Sequence, residues 1–323
     1  MAMLKLNRVG DALKLLEDLE TTSTHRDIAI EAAYRKGDAY IQKKDYDVAA
    51  QEFKNSQKKY PKEIDRFPNA MYNQAESLFA VKKFQDSLEQ YRQFLIHFPK
   101  EDHAAFAMTR VGELLGILGA DKKRVMGTYM ETVFRFGERP SANIAQMRLA
   151  TDKMKTARER EFKPLMKQIE KFAGALKIPN MEQFTNVLVA EGFASRGQFQ
   201  DAIDRLVEFY QTNPISADKE MISKRIISYI NQQLQSNVDQ GDYIAALMLH
   251  QKYAESWLKN TPQLAARFNV GKSLEFSGAP EAGEKFYRDV LNSSLAINGT
   301  EESKILKANG TFPNLDEVNL RLA

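Results

Sequence analysis

The sequence contains no cysteine, an absence that excludes thiol catalysis, disulfide bonds and thiolate metal sites and suits cytoplasm and periplasm alike. Glycine and proline are scarce, at 16 and 10 in 323 residues, and no tract alternates Val, Ile and Thr, so an all-β fold is nearly excluded. No apolar run approaches the ~18 to 20 residues that cross a bilayer, and the start of the chain holds no signal-peptide core. Neither sign of charge dominates, since the chain has 46 Lys and Arg and 43 Asp and Glu, a net charge of +3. We therefore expect an ordinary soluble globular protein.

The sequence contains an internal repeat, and a repeat of this length largely determines the fold class. From Ala33 the chain reads AYRKGDAYIQKKDYDVAAQEFKNSQKKYP, and 38 residues later, from Met71, a second copy reads MYNQAESLFAVKKFQDSLEQYRQFLIHFP. In the second half, VAEGFASRGQFQDAIDRLVEFYQTNP is a third copy, and two looser copies surround Gly241 and Gly271. Between the halves, residues 104–118 and 122–136 form a degenerate helix pair.

The repeated positions carry the residue types that a pair of packed helices requires. Small residues stand where the second helix crosses the first, and aromatic residues fill the space between successive pairs. Glycine allows the tight left-handed turn within a pair, and proline ends the second helix. The small residues are Ala49, Ala202 and Ala246, and the aromatic residues are Phe53, Tyr91 and Tyr287. The turn glycines are Gly197, Gly241 and Gly278. The terminating prolines are Pro61, Pro99 and Pro214, and Pro262 comes later than the pattern requires.

This pattern resembles the 34-residue tetratricopeptide repeat (TPR). The resemblance implies an all-α fold, a right-handed solenoid of helix-turn-helix repeats. One such unit cannot bury its apolar face alone, so at least three units must stack into a continuous core.

Changes of pattern along the chain divide it into five segments. Residues 1–27 resemble a lone second helix and are predicted to belong to a truncated upstream repeat, whereas residues 28–150 form an N-terminal TPR array. Residues 151–179 are a charged helical junction broken by Pro164, and residues 180–297 form a C-terminal TPR-like array. Residues 298–323 are a tail, and we expect its polar part from Asn298 to Gly310 to be loosely ordered.

A narrower resemblance covers residues of about 28–154. It is carried by the KYP and HFP closures at Tyr60-Pro61 and Phe98-Pro99, by AAFAMTRVGELL and by TVFRFGERPSANIAQMRL. These motifs look like those of bacterial cell-envelope TPR lipoproteins that serve outer-membrane β-barrel assembly or associate with the Tol-Pal system. The resemblance implies a scaffold in envelope assembly or polarity, located in the periplasm or at the outer membrane. The lipidated cysteine of that family is absent here, and the cytoplasm is the alternative.

Two features could carry chemistry, the segment around Lys272 and the histidines, and for each we favour a structural interpretation. The segment ARFNVGKS satisfies a relaxed phosphate-binding loop with Lys272, but a helix end and not a buried strand precedes it. We assign Lys272 to a solvated helix face, with a nucleotide-dependent enzyme as the alternative. No nucleophile motif of the GxSxG kind is present, and metal-ligand spacing is missing from the four histidines, His25, His97, His103 and His250. We expect no enzymatic activity, cofactor or metal.

The more informative surface is the inner face of the first array, which the first helix of each repeat lines. Carrying the TPR positions over gives Glu31, Tyr34, Asp38 and Ile41 from the first repeat and Asn69, Tyr72, Glu76 and Phe79 from the second. Aromatic side chains beside carboxylates suit a groove for a peptide, although Tyr34 and Tyr72 could equally fill the core. The carboxylates predict an acidic face and would repel a C-terminal carboxylate, so tail binding of the co-chaperone kind is not expected.

These residues lead to a non-enzymatic scaffold whose groove binds a protein or peptide partner with basic and apolar side chains. The alternative is a cytoplasmic regulatory module that binds a peptide or small ligand between the two arrays. The charged cluster of residues 153–171 mixes both signs, so we expect no nucleic acid partner. The oligomeric state is left open.

Overall fold

The computed structural model describes residues 2–6, 8–213, 219–259, 264–308 and 312–323. These residues form eighteen α-helices, two short 3-10 helices at Pro61–Arg66 and Pro140–Ala142, and no strand, so the predicted all-α class is confirmed. The α-helices are α1 (Ala2–Lys5), α2 (Val9–Thr22), α3 (Arg26–Gln42), α4 (Tyr46–Lys59), α5 (Pro68–Ala80), α6 (Phe84–His97), α7 (Ala104–Ile117), α8 (Lys122–Phe136), α9 (Asn143–Met154), α10 (Glu159–Gly174), α11 (Met181–Ala194), α12 (Phe199–Thr212), α13 (Lys219–Asp239), α14 (Tyr243–Tyr253), α15 (Leu264–Phe276), α16 (Pro280–Ile297), α17 (Glu301–Ala308) and α18 (Leu315–Leu322).

The chain forms two compact units, Met1–Ala150 with Glu170–Lys177, and Thr151–Ile169 with Ile178–Ala323. In the first unit each helix from α2 to α8 packs on the helix before it. In the second unit each helix from α12 to α16 packs on the helix before it, and α18 packs on α16. Helices that pack in chain order form a solenoid, so the predicted stack of TPR-like repeats is confirmed.

Close contact between the two helices of a repeat depends on small residues on both sides. Ala49 of α4 is fully buried, as predicted for the crossing point. On the opposing helix, a Cβ added at Gly37 would lie 2.4 Å from the ring of Phe53, and one added at Gly271 would lie 2.7 Å from the ring of Tyr287. No side chain fits at such distances, so each glycine makes room for the large aromatic residue of its partner helix.

The turn within a repeat has the left-handed backbone that the glycines predicted. Gly197, Gly241 and Gly278 have φ of 76°, 75° and 88°. In the first unit the same turn is made by Lys44 and Lys82, with φ of 63° and 62°. This conformation strains any residue with a Cβ, so the first two repeats form the turn at an energetic cost that the later ones avoid.

The prolines confirm one prediction and correct another. Pro61 and Pro99 follow the ends of α4 and α6, as expected, whereas Pro214 and Pro262 lie outside the described residues. The prediction that Pro164 breaks the junction is wrong, because Pro164 lies inside α10. The buried side chains of Phe162 and Ile169 flank it and hold this helix in place, which offsets the backbone hydrogen bond that proline cannot donate.

The C-terminal tail is also more regular than expected. Loose order was predicted from Asn298 to Gly310, but Glu301–Ala308 is helical. Further on, α18 buries Val318 completely against Phe268, Tyr287 and Val290. The polar composition of the tail did not predict these helices, because one apolar side chain per helix turn is enough to dock a short helix on an existing core.

Candidate functional site

The predicted inner-face residues of the first unit lie on α3 and α5, and packing divides them into two groups. Glu31 and Asn69 are exposed, and Asp38, Ile41, Tyr72, Glu76 and Phe79 are half-buried. Tyr34 is only 1% exposed, stacks on Phe67 with ring centroids 4.2 Å apart, and donates a hydrogen bond to the Tyr60 carbonyl at 3.2 Å. Of the two roles that the sequence allows for Tyr34, the structure supports core packing.

Tyr72 is also held mainly by its neighbours inside the unit. Its ring lies edge-on to Tyr91 and Phe94, with centroids 5.8 and 5.6 Å away, and 4.7 Å from the ring of His103. Its hydroxyl donates to Glu76 Oε1 at 3.2 Å. Burial, and secondarily the Glu76 charge, raises the pKa of Tyr72, so this hydroxyl stays protonated and keeps donating.

A cavity of about 530 Å³ opens on the same face, and we call it the inner-face cavity. The structure brings together three of the predicted residues here, Asp38, Ile41 and Asn69. Five further residues line it that the repeat pattern did not predict, namely Leu4, Arg35, Gln42, Asn73 and His103. Glu31, Tyr34, Tyr72, Glu76 and Phe79 do not line it.

Polar side chains connect successive first helices along this face, in a series that we call the inner-face ladder. The carboxylate of each repeat accepts a hydrogen bond from the next first helix, at 2.9 Å for Asn73 to Asp38, 3.4 Å for Arg110 to Glu76 and 2.9 Å for Arg148 to Glu113. Within a helix, donor and carboxylate are three residues apart, with Arg35 3.2 Å from Asp38 and Arg110 2.6 Å from Glu113. The ladder members are Arg35, Asp38, Asn73, Glu76, Arg110, Glu113 and Arg148.

The ladder corrects the expectation of an acidic inner face. Asp38, Glu76 and Glu113 are each paired with an arginine, so the face carries mixed charge. Of the three predicted inner-face carboxylates, Glu31 is the one that stays mostly exposed, with 59% of its side chain accessible and Arg35 Nε 3.6 Å away. The recurring spacing of three residues between donor and carboxylate was the signal in the sequence that could have revealed this pairing.

Glu113 is the most enclosed charge of the ladder, with 11% of its side chain exposed. Burial alone would raise the pKa of Glu113, but the Arg148 and Arg110 guanidinium groups outweigh it and hold this pKa below its ordinary value. Next to it, the Arg110 guanidinium lies 4.4 Å from the ring centroid of Phe79, a cation–π contact that holds Phe79 on the face.

The sequence features considered for enzymatic chemistry have structural roles. Gly271, Lys272 and Ser273 lie inside α15, so they form no phosphate-binding loop. The assignment of Lys272 to a solvated face is wrong: its side chain is 20% exposed and its Nζ lies 3.2 Å from a Glu317 carboxylate oxygen. Among the described residues, no group of three or more His, Asp or Glu side chains could hold a metal ion. No helix in the described ranges is long and apolar enough to cross a membrane.

Together the fold and this face define a class of protein, an all-α solenoid of TPR-like repeats with an inner cavity. No family model matches the chain, and no curated protein matches it. Among solved structures, the chain is similar to one of Naa15/Naa10 bound to HypK-THB, at 16% identity and a TM-score of 0.35, over 91% of this chain and 44% of that one. It is also similar to the P58(IPK) TPR domain, at 10% identity and a TM-score of 0.26, over 99% and 95% of the two chains. The chain thus spans less than half the length of the first of these two.

Proposed function

We propose that this protein is a non-enzymatic scaffold that binds a segment of a partner protein in the inner-face cavity. The observation that carries the proposal is the cavity itself, which combines an apolar side chain, Ile41, with the amides of Asn69 and Asn73 and the Arg35–Asp38 pair. A groove with a little apolar surface and several fixed polar groups suits an extended peptide, because amide side chains can both donate to and accept from peptide bonds.

The partner segment is proposed to carry a basic and an apolar side chain. Glu31 does not line the cavity, but its exposed carboxylate lies 3.6 Å from Arg35, which does, and can receive a Lys or Arg, while Ile41 offers contact to an apolar residue. Because the ladder pairs the other carboxylates with arginines, we expect charge to orient the segment and to add little long-range steering. Association should therefore depend only weakly on salt.

The experiment is a selection of linear peptides from a random displayed library on the whole chain, followed by titration of the best peptide. Asn69→Arg fills the cavity from an exposed position and should weaken binding by about tenfold or more. Asn55→Arg makes the same replacement at an exposed position of α4 and serves as the control. Equal affinity of the selected peptide for both variants would place its binding elsewhere and refute the proposal.

We further propose that the scaffold acts in the cell envelope, the role that the narrower resemblance implies. Fractionation of cells that express the full-length protein tests it, since an envelope scaffold leaves with the periplasm or the membrane fraction. Recovery of all the protein with the cytoplasm would favour the regulatory alternative instead.

A further inference from the structure

The outer side of α8 differs from the outer sides of two other second helices, α4 and α16. Val125, Tyr129, Thr132 and Phe136 are the buried residues of α8, and four exposed positions with spacings of four, three and four residues lie on its other side. At the equivalent exposed positions α4 carries Asp47, Gln51, Lys54 and Lys58, and α16 carries Glu281, Lys285, Arg288 and Asn292. On α8 the same positions are Lys123, Gly127, Met130 and Phe134. The repeat fold therefore does not require apolar residues at these positions, yet α8 places two large apolar side chains in solvent, as α14 does with Ile244 and Met248.

The geometry of these residues matches a seam for another helix. Phe134 is 91% and Met130 61% exposed, so nothing in the described chain covers them. A Cβ added at Gly127 would meet no atom within 4 Å, which leaves the helix backbone open to close approach. Positions 127, 130 and 134 repeat at three and four residues, the period at which one helix packs against another.

The apolar surface continues onto the preceding repeat. Ile96 of α6 stands 38 residues before Phe134, which is the repeat distance, and it is 70% exposed. Equivalent positions of successive repeats lie on one side of a solenoid. A single exposed apolar residue is ordinary, but an i, i+4 pair with a glycine before it and an apolar residue at the equivalent position of the preceding repeat is a surface suited to binding.

Charge decides what kind of helix fits this surface. The stripe begins beside the exposed cations Lys123 and Arg124 of the first turn of α8. Near its other end, Glu131 is already paired with Arg135 at 3.4 Å. A partner helix is therefore complementary if its apolar stripe is flanked by carboxylates at the end that meets Lys123 and Arg124.

We propose that the Gly127–Met130–Phe134 stripe of α8 docks an amphipathic helix of another protein, with acidic residues at one end of its apolar stripe. This surface is separate from the inner-face cavity, and its occupancy does not require the cavity to be filled. A chain with both surfaces can hold one partner on each side of the first unit.

The probe is a displayed library of 18-residue amphipathic helices with a constant apolar stripe and randomised end residues, selected on the whole chain. We expect Asp and Glu to be enriched at one end. Phe134→Lys should weaken binding of the selected helix by about tenfold or more, since it removes the largest and most exposed apolar side chain of the stripe. The paired reversal of Lys123 and Arg124 to Glu should weaken it about threefold or more, mainly through slower association.

The chain supplies its own controls. Lysine is already the residue of α4 at the position equivalent to Phe134, so Phe134→Lys should unfold at the same temperature as wild type. Met248→Lys removes an exposed methionine, 66% accessible, from α14 and should leave binding unchanged. Asn69→Arg should also leave it unchanged, which separates this proposal from that of the cavity.

Three results would overturn the proposal. One is a selected helix that binds Phe134→Lys as tightly as wild type. Another is self-association of the wild-type chain in analytical ultracentrifugation that Phe134→Lys abolishes, because the occupant would then be a second copy. The third is binding of the chain to anionic phosphatidylserine vesicles that depends on Phe134 while no helix is enriched, because the surface would then face a membrane.

Discussion

Neutralising Glu113 tests whether the inner-face ladder stabilises the first unit. Its carboxylate lies 2.6 Å from Arg110 Nη1 and 2.9 Å from Arg148 Nη2, and only 11% of the side chain is exposed. Glu113→Gln keeps the shape but leaves two guanidinium groups without this anion. Removing one partner of a fully buried pair costs about 3 to 5 kcal/mol. Because the arginines are 31% and 27% exposed and Arg110 keeps Glu76, we expect about 2 kcal/mol.

The pH dependence of stability gives a second readout of the same interaction. The pKa of Glu113 is lower in the folded chain than in the unfolded chain, so the unfolded state takes up the proton first as the pH falls. Stability from Glu113 is therefore present above its ordinary pKa of 4.5 and is lost as the pH falls through the lower folded pKa. Glu113→Gln should lack this loss, so the stability difference between wild type and variant should shrink in acid.

The measurement is urea unfolding at pH 7 and at pH 4, together with amide hydrogen exchange of α7. The control is Glu131→Gln, since Glu131 is 55% exposed in its pair with Arg135 and should change stability by less than about 0.5 kcal/mol. If Glu113→Gln unfolds at the wild-type urea concentration at pH 7, with unchanged exchange in α7, the ladder does not stabilise the unit and our reading of its charges is incorrect.

Two further predictions concern backbone and packing. Lys44→Gly should stabilise the first unit by roughly 0.5 to 1 kcal/mol, because it relieves a left-handed residue with a φ of 63° and this relief exceeds the entropy that glycine adds to the unfolded chain. Urea unfolding measures it, and a loss of stability would contradict the strain argument. Gly37→Ala should destabilise by about 1 to 3 kcal/mol, because its Cβ would lie 2.4 Å from the Phe53 ring. Gly116→Ala is the matched control, since its Cβ meets only Val125 at 3.9 Å and helix propensity favours alanine by up to about 1 kcal/mol. We expect faster hydrogen exchange in α3 and α4 only in the Gly37 variant. Equal exchange in both variants would contradict the packing argument.

The architecture follows from the sequence because each signal for it is local. Ala49 at a crossing point, Gly197 in a turn and Pro61 after a helix each express a requirement of one helix pair, and the repeat distance multiplies that requirement along the chain. The same logic places Asp38, Ile41 and Asn69 on one face, where the structure has a cavity. Period and residue type are sufficient to assign each of these residues to its helix face or turn, because both are local properties of the chain.

Only the tertiary structure determines which charged side chains pair between repeats. Glu76 is acidic in the sequence, but its effect on the inner face is set by Arg110, which the first helix of the next repeat brings within hydrogen-bonding distance. Lys272 belongs to a helix face that would be solvated in an isolated repeat, and α18 covers it with Glu317, 45 residues further along the chain. Side-chain pairing across such separations depends on helix positions to within about an ångström, because a hydrogen bond weakens steeply beyond its narrow range of distance and angle. A one-dimensional pattern specifies which side chains share a face, and only the packed helices specify which of them meet.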